Sequence, residues 1–489
     1  MVSWTVTFGL SCYVLLTLGI GIYAGRKIKG ASDFIVAGRR LGLILATGTM
    51  AATWFGGGIV IGAASEAYKK GFLGVIADPF GAALCLILAG LFYVRMMRRM
   101  GLTTIAEFFT VRYGKSAGTV AALCTIPTYV GWVAALMVAF GRIIQTLTGF
   151  DATWAIIIGA VIVLIYTTAG GMWAVTLTDF IQVSVLVIGL LVITPILIHD
   201  MGGWAAIRAQ LPDDRFYLYP HSTDWASWFH YARDWLVIGL GNLAGQDLMQ
   251  RTLSSRNESV AQNSAYLSAL LYLTVGLIPV FLGIAATLVF PNLEDPDMVM
   301  MKLGQTYLPP LGMAIFLGAL VSALMSSADS ALLAPASVIG NDLAVYFTDD
   351  LTEAKKLFIC RLSVPILGIF SLYLALSKNT IYSLMVDSWS VLLATLFVPL
   401  TAGIWWSRAN HMGALSSMIV GGISWQVFRW ITPDLPADLI AVPFALVALG
   451  IVSLVTSSSH PPKALQDLSG NALTYDNRLG LIRPTSKQP

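Results

Sequence analysis

The strongest constraint on this chain is a succession of uninterrupted apolar runs, each close to the roughly 20 residues that an α-helix needs to cross a bilayer. They fall near residues 4–25, 41–66, 72–96, 117–148, 152–169, 173–199, 233–250, 264–290, 309–340, 358–377, 381–406, 412–431 and 437–457, which makes about 13 candidate spans. In hydrocarbon every backbone polar group needs an internal partner, so only helices and closed barrels qualify. Continuous apolarity, in place of ten-residue alternation, selects helices. The chain therefore reads as an all-α polytopic membrane protein. Composition agrees: 57% of its 489 residues are hydrophobic and 11% charged, against about 25% charged in soluble domains. The net charge of +3 lies mostly in loops, where it speaks to topology and not to a nucleic-acid partner.

The first run follows the uncharged start Met1-Val2-Ser3-Trp4 and ends in Arg26-Lys27-Ile28-Lys29. That is the reverse of a signal peptide's charge order, so it reads as a retained helix with its N-terminus outside. On the loops then assigned to the cytoplasm, among them those holding Arg95, Arg98, Arg99, Arg251, Arg256, Lys355 and Lys356, Lys and Arg outnumber those of the opposite face by more than two to one. The bias supports N-out and C-in. Residues 1–457 form one membrane domain, residues 200–232 are expected to cover its outer face, and residues 458–489 form a polar cytoplasmic tail too short for a catalytic domain.

Two spans look interrupted. Thr53-Trp54-Phe55-Gly56-Gly57-Gly58 lies inside the second, and interior glycines cost a helix about 1 kcal/mol each relative to Ala. A helix broken there exposes backbone carbonyls, the device by which secondary transporters hold cations near the midplane. Glycines that only permit close helix contact are the alternative. Gly239-Leu240-Gly241-Asn242-Leu243-Ala244-Gly245-Gln246 interrupts a later span, five spans on. An odd offset brings paired elements in from opposite sides, so inverted repeats are placed at about 41–199 and 233–406.

Ala323-Leu324-Met325-Ser326-Ser327-Ala328-Asp329-Ser330 puts an acid and three hydroxyls at membrane depth. Ala323, Ser326, Ser327 and Ser330 follow i, i+3, i+4, i+7 spacing and form one stripe, with Asp329 at its edge. Close packing explains the Ser and Ala residues but not the Asp, whose burial costs at least about 2.5–3.5 kcal/mol. A hard cation that takes oxygen ligands, Na⁺ most simply, offsets that cost.

Four stretches together resemble the sodium:solute symporter family, whose core has the leucine-transporter-like 5+5 inverted-repeat fold. They are Ala37-Gly38-Arg39-Arg40, Ala52-Thr53-Trp54-Phe55-Gly56-Gly57-Gly58, Gly170 to Gln182 with Thr178-Asp179, and Ala323 to Ser330. The resemblance implies sodium-coupled uptake of a small solute. Its first sodium site would use the carbonyls of Ala52, Phe55 and Ala323 and the hydroxyls of Ser326 and Ser327. A second site, present in some members, would fall on Asp179, Ser326, Asp329 and Ser330; a solvated helix-start aspartate is the competing reading of Asp179.

Within the family the wording is similar to the high-affinity choline transporter branch. Trp54 and Trp132 stand where that branch supplies walls of an aromatic cage, whereas Ala82, Gly245 and Met385 stand where it has further aromatics. The implied solute is choline-like, a quaternary ammonium or other cationic or zwitterionic compound; a proline-like amino acid, a sugar and sialic acid are the alternatives. Asp78 and Asp387 are acids in or near apolar runs that suit an ammonium counter-charge or a solvated helix entrance. Gln246 suits a polar substrate group or a freed backbone group. Arg142 suits an anion such as chloride, or snorkels outward.

An enzyme is not expected, because the five histidines (His199, His221, His230, His411, His460) form no catalytic or metal-binding spacing. Cys12, Cys85, Cys124 and Cys360 lack metal or redox spacing. A passive channel or uniporter would use the same polar stripe without accumulating solute. The expected partners are the solute and the bilayer, with no nucleic acid and no obligate protein.

Overall fold

The computed structural model describes residues 4–26, 28–346, 351–377 and 381–473. It is helical throughout: α1 (Trp4–Gly25), α2 (Leu43–Trp54), α3 (Ala82–Phe92), α4 (Lys115–Thr148), α5 (Ala152–Asp200), α6 (Trp225–Gly239), α7 (Gln246–Ser254), α8 (Glu258–Thr274), α9 (Leu277–Val289), α10 (Pro310–Val338), α11 (Glu353–Ser377), α12 (Ile381–Thr395), α13 (Phe397–Trp405), α14 (His411–Ile431) and α15 (Ala437–Val455). Among the described residues seven helical stretches are long and apolar enough to cross a membrane, and the pair Ser388–Thr395 and Phe397–Trp405, bent by 42°, makes an eighth. Two of the expected spans outside that tally, at 41–66 and 233–250, are not single rods.

The second expected span is the clearest case. Helix α2 stops at Trp54, where Phe55 leaves helical space (φ −77°, ψ 56°). The chain resumes as a π-helical turn over Gly58–Ala63 and the helix Ala64–Lys70, then turns at Gly71 (φ 65°). The expected span at 233–250 is likewise two pieces, α6 and α7, joined by a 3₁₀ turn over Gly241–Ala244 and an extended Gly245. Conversely, the spans expected at 152–169 and 173–199 run on as α5, kinked where Gly171 takes φ 52° and ψ −165°.

Helix α10 is the central element. From Phe316 to Val338 every residue is buried, so its polar stripe faces other helices and not lipid; α1, α2, α4, α5, α7 and α11 pack around it. Residues 200–232 fold back over the turn at Gly71: Arg215 Nη1 donates to the Tyr68 carbonyl at 3.0 Å, and Phe216 packs on Phe72. The polar tail is anchored as far as its description reaches, since Leu465 is buried and Leu468 N donates to the Arg99 carbonyl. One sequence assignment is corrected. Arg251, counted among loop cations, is fully buried within α7.

Candidate functional site

The broken end of α2 and the stripe of α10 meet at hydrogen-bonding distance. Ser326 Oγ is 2.9 Å from the Ala52 carbonyl and 3.0 Å from the Ala323 carbonyl, while Ser327 Oγ donates to the Thr53 carbonyl at 2.7 Å. Gly56 fits against the same turn: a Cβ there would overlap Ser327 Oγ. Ala52, Phe55, Ala323, Ser326 and Ser327 are each at most 1% exposed. The interruption of α2 thus presents carbonyl oxygens to hydroxyls in a dry environment, a donor set suited to a small hard cation.

A second polar cluster lies alongside. Asp179 is fully buried on α5 and accepts from Thr49 Oγ1 at 2.5 Å, so it is not a solvated helix start. Its Oδ1 has no hydrogen-bond partner among the described residues. Thr53 Oγ1 lies 3.0 Å from Ser330 Oγ, which in turn donates to Asp329 Oδ1 at 3.2 Å. The guanidinium of Arg251 also donates to Ser330 Oγ. The cluster therefore already holds one fixed positive charge, which the sequence reading did not place there.

A small cavity opens beside the break. Its walls are Trp54, Gly58, Asp78, Ala82, Trp132, Ile238, Asn242, Tyr272, Ser327 and Trp389. Trp132 and Trp389 lie 4.9 Å apart between centroids, tilted by 59°. Asp78 Oδ1 and Asn242 Oδ1 are buried there without hydrogen-bond partners among the described residues. Among the described residues no Lys, Arg or His appears on these walls. The cavity thus combines aromatic faces with acceptors that no donor among the described residues meets, and Ser327 borders both it and the oxygen cluster.

Trp54, Trp132, Ala82 and Asp78 line this cavity together, whereas Gln246 and Gly245 are placed elsewhere. Gln246 accepts from the backbone N–H of Ile105 at 2.7 Å, satisfying a helix start in the manner of its alternative reading. Gly245 sits between Asn242 and Asp247. Met385 and Asp387 lie on α12, and their side chains fall outside the described residues. Arg142 Nη1 donates to Asp295 Oδ2 at 2.6 Å and is engaged by a carboxylate.

Three polar or aromatic cavity walls and two supporting charges lie outside the residues expected from the sequence. Asn242 lies inside the glycine-interrupted stretch, so its position carried a signal; Trp389 and Tyr272 were lost among many aromatic residues. Asp247, fully buried, accepts hydrogen bonds from Trp54 Nε1 and Tyr129 Oη. As an intramembrane acid followed at i+4 by Arg251, it carried the same kind of signal as Asp78.

Comparison with known proteins places this geometry. The profile of the sodium:solute symporter family matches residues 34–421. The human high affinity choline transporter 1 is 30% identical over 437 residues, covering 84% of this chain and 74% of that protein. The osmoregulated proline transporter of Bacillus subtilis is 26% identical, covering 96% and 98%. A substrate-bound, outward-open structure of a Na⁺-coupled sialic acid symporter superposes with a TM-score of 0.81 at 20% identity, covering 94% of this chain and 99% of that one.

Proposed function

This chain belongs to the sodium:solute symporter family, and on that premise we propose that it imports a small organic cation, most suitably a quaternary ammonium compound, together with Na⁺ by alternating access. The observation that carries the choice is the cavity itself. Trp54, Trp132, Tyr272 and Trp389 offer ring faces, and Asp78 and Asn242 offer buried acceptors without donors among the described residues. Ring faces attract a cation by up to about 2 kcal/mol per desolvated contact. A carboxylate-bearing solute would need a positive partner, and the described walls contain none. This favours a choline-like solute over a proline-like amino acid or sialic acid.

In this reading Na⁺ binds between Ala52 and Phe55 on α2 and Ala323, Ser326 and Ser327 on α10. The ion replaces hydroxyl-to-carbonyl hydrogen bonds that now tie the helices. Asp179, Ser326, Asp329 and Ser330 form the candidate second cation site. Because Ser327 borders both the first site and the cavity, ion and solute raise each other's affinity by the same factor. The repeats at about 41–199 and 233–406 contribute one broken helix each, α2 and α6–α7, and their relative rocking moves both ligands inward. The chain crosses the membrane about 13 times, with its N-terminus outside and its tail cytoplasmic. No residue is proposed for chloride, since Arg142 is engaged by Asp295.

Thermal-shift measurements on the purified chain test this with choline, glycine betaine, proline, a sugar and sialic acid, each in sodium and in potassium. A sodium-dependent stabilisation by choline is expected. Stabilisation only by carboxylates or sugars, or equally in both salts, would overturn the proposal. Accumulation in vesicles only under an inward sodium gradient separates the symporter from a uniporter.

A further inference from the structure

The hydrogen bonds around Asp247 and Arg251 form a continuous path between the aromatic cavity and the polar stripe of α10. Asp247, in the first turn of α7, accepts from Trp54 Nε1 and Tyr129 Oη, and its own N–H donates back to Tyr129 Oη at 2.9 Å. Trp54 is a cavity wall, and Tyr129 packs against two more, Trp132 at 6.0 Å and Trp389 at 6.3 Å between centroids. One buried carboxylate thus sets three of the four aromatic walls. One turn on, Arg251 Nη1 donates to the Asp247 carbonyl at 3.1 Å, and Arg251 Nη2 donates to Ser330 Oγ. Ser330 Oγ is within 3.0 Å of Thr53 Oγ1, and the Thr53 carbonyl accepts from Ser327.

Both charges are fully buried, and placing ions at such depth costs several kcal/mol each before partners offset it. A packing role alone is met by apolar side chains of similar volume. What this pair does that apolar residues do not is join two sites through directional bonds on one short helix. Arg251 also adds a planar fork that a lysine lacks. We infer that Asp247 and Arg251 are positioning residues that transmit cation binding at the α10 stripe to the aromatic walls of the substrate cavity. The inference rests on the sodium reading above: a cation drawing Ser326, Ser327 and Ser330 toward it shifts the Arg251 anchor. Through α7 that shift reaches Asp247, and through Asp247 it reaches Trp54 and Tyr129.

Hydrogen–deuterium exchange on the full chain in nanodiscs, in sodium against potassium at equal ionic strength, tests this without knowledge of the solute. In the wild type, sodium slows exchange at peptides spanning 323–330 and also at those spanning 129–132 and 388–393. In Arg251→Gln the slowing at 323–330 remains, while more than about half of that at the walls is lost. Arg251→Lys, which keeps charge without the fork, restores part of it. Undiminished wall protection in Arg251→Gln overturns the relay and leaves the sodium site standing. So does a uniform rise in wall exchange in both salts, the mark of a merely structural arginine. Absence of sodium protection at 323–330 in the wild type overturns the sodium reading and the relay with it. If Arg251→Gln does not fold, Asp247→Asn, which retains Arg251, is read by the same criteria.

Discussion

Gly56 lies so close to Ser327 that only a glycine fits: a Cβ would overlap the serine hydroxyl and come within 2.9 Å of the Ala323 carbonyl oxygen. The missing side chain is what lets the broken end of α2 reach the stripe of α10. Gly56→Ala should therefore separate the two helices. Overpacking of this kind costs about 1–3 kcal/mol, so the variant is expected to insert, to melt a few degrees lower, and to lose the sodium-dependent part of its thermal stability. Retention of a wild-type sodium shift would count against the contact being needed.

Ser327→Ala removes one hydroxyl that donates to the Thr53 carbonyl and leaves the fold intact. Losing one ligand oxygen at a charged site is worth about 1.4 kcal/mol, a roughly tenfold rise in the sodium concentration for half-maximal uptake. An unchanged sodium dependence would remove Ser327 from the site.

Asp78→Asn keeps the shape of the cavity wall and deletes its charge. If the solute is a cation, its affinity should fall roughly 10- to 100-fold, about 1.4–2.8 kcal/mol, as expected for one ion pair at intermediate dielectric. Binding of the choline-like ligand found by thermal shift checks this by isothermal titration; equal affinity in wild type and variant would show that Asp78 faces no positive charge.

How much of this was legible in the sequence follows from what leaves a local signature. The glycine run at Gly56–Gly58 and the i, i+3, i+4, i+7 spacing of Ala323 to Ser330 are local, and the structure puts α2 and α10 in contact there. Asp179 was ambiguous because exposure is not local: only the packing of Thr49 against it shows it buried. Gln246 reads equally as a substrate ligand or a backbone partner until Ile105 appears beside it. Arg251 reads as a loop cation because α7 is short and polar. Its burial comes from Ser330, 79 positions away, and hydropathy carries no trace of such a pairing.

Two tryptophans share one wall of the cavity. Trp132 and Trp389 are 4.9 Å apart at 59°, and Tyr129 touches both. A cation between such rings loses about 1–2 kcal/mol when one face is removed, so Trp132→Ala and Trp389→Ala should each weaken binding roughly 10-fold. The double variant should be weaker than either but stronger than the product of the two effects. Each ring holds the other in place, and aromatic pairs carry about 0.5–1.5 kcal/mol of mutual interaction. A double-mutant cycle on the dissociation constant of the choline-like ligand reads this directly. Strict additivity would mean that the rings contact the solute independently and that the wall is not a single preorganised unit.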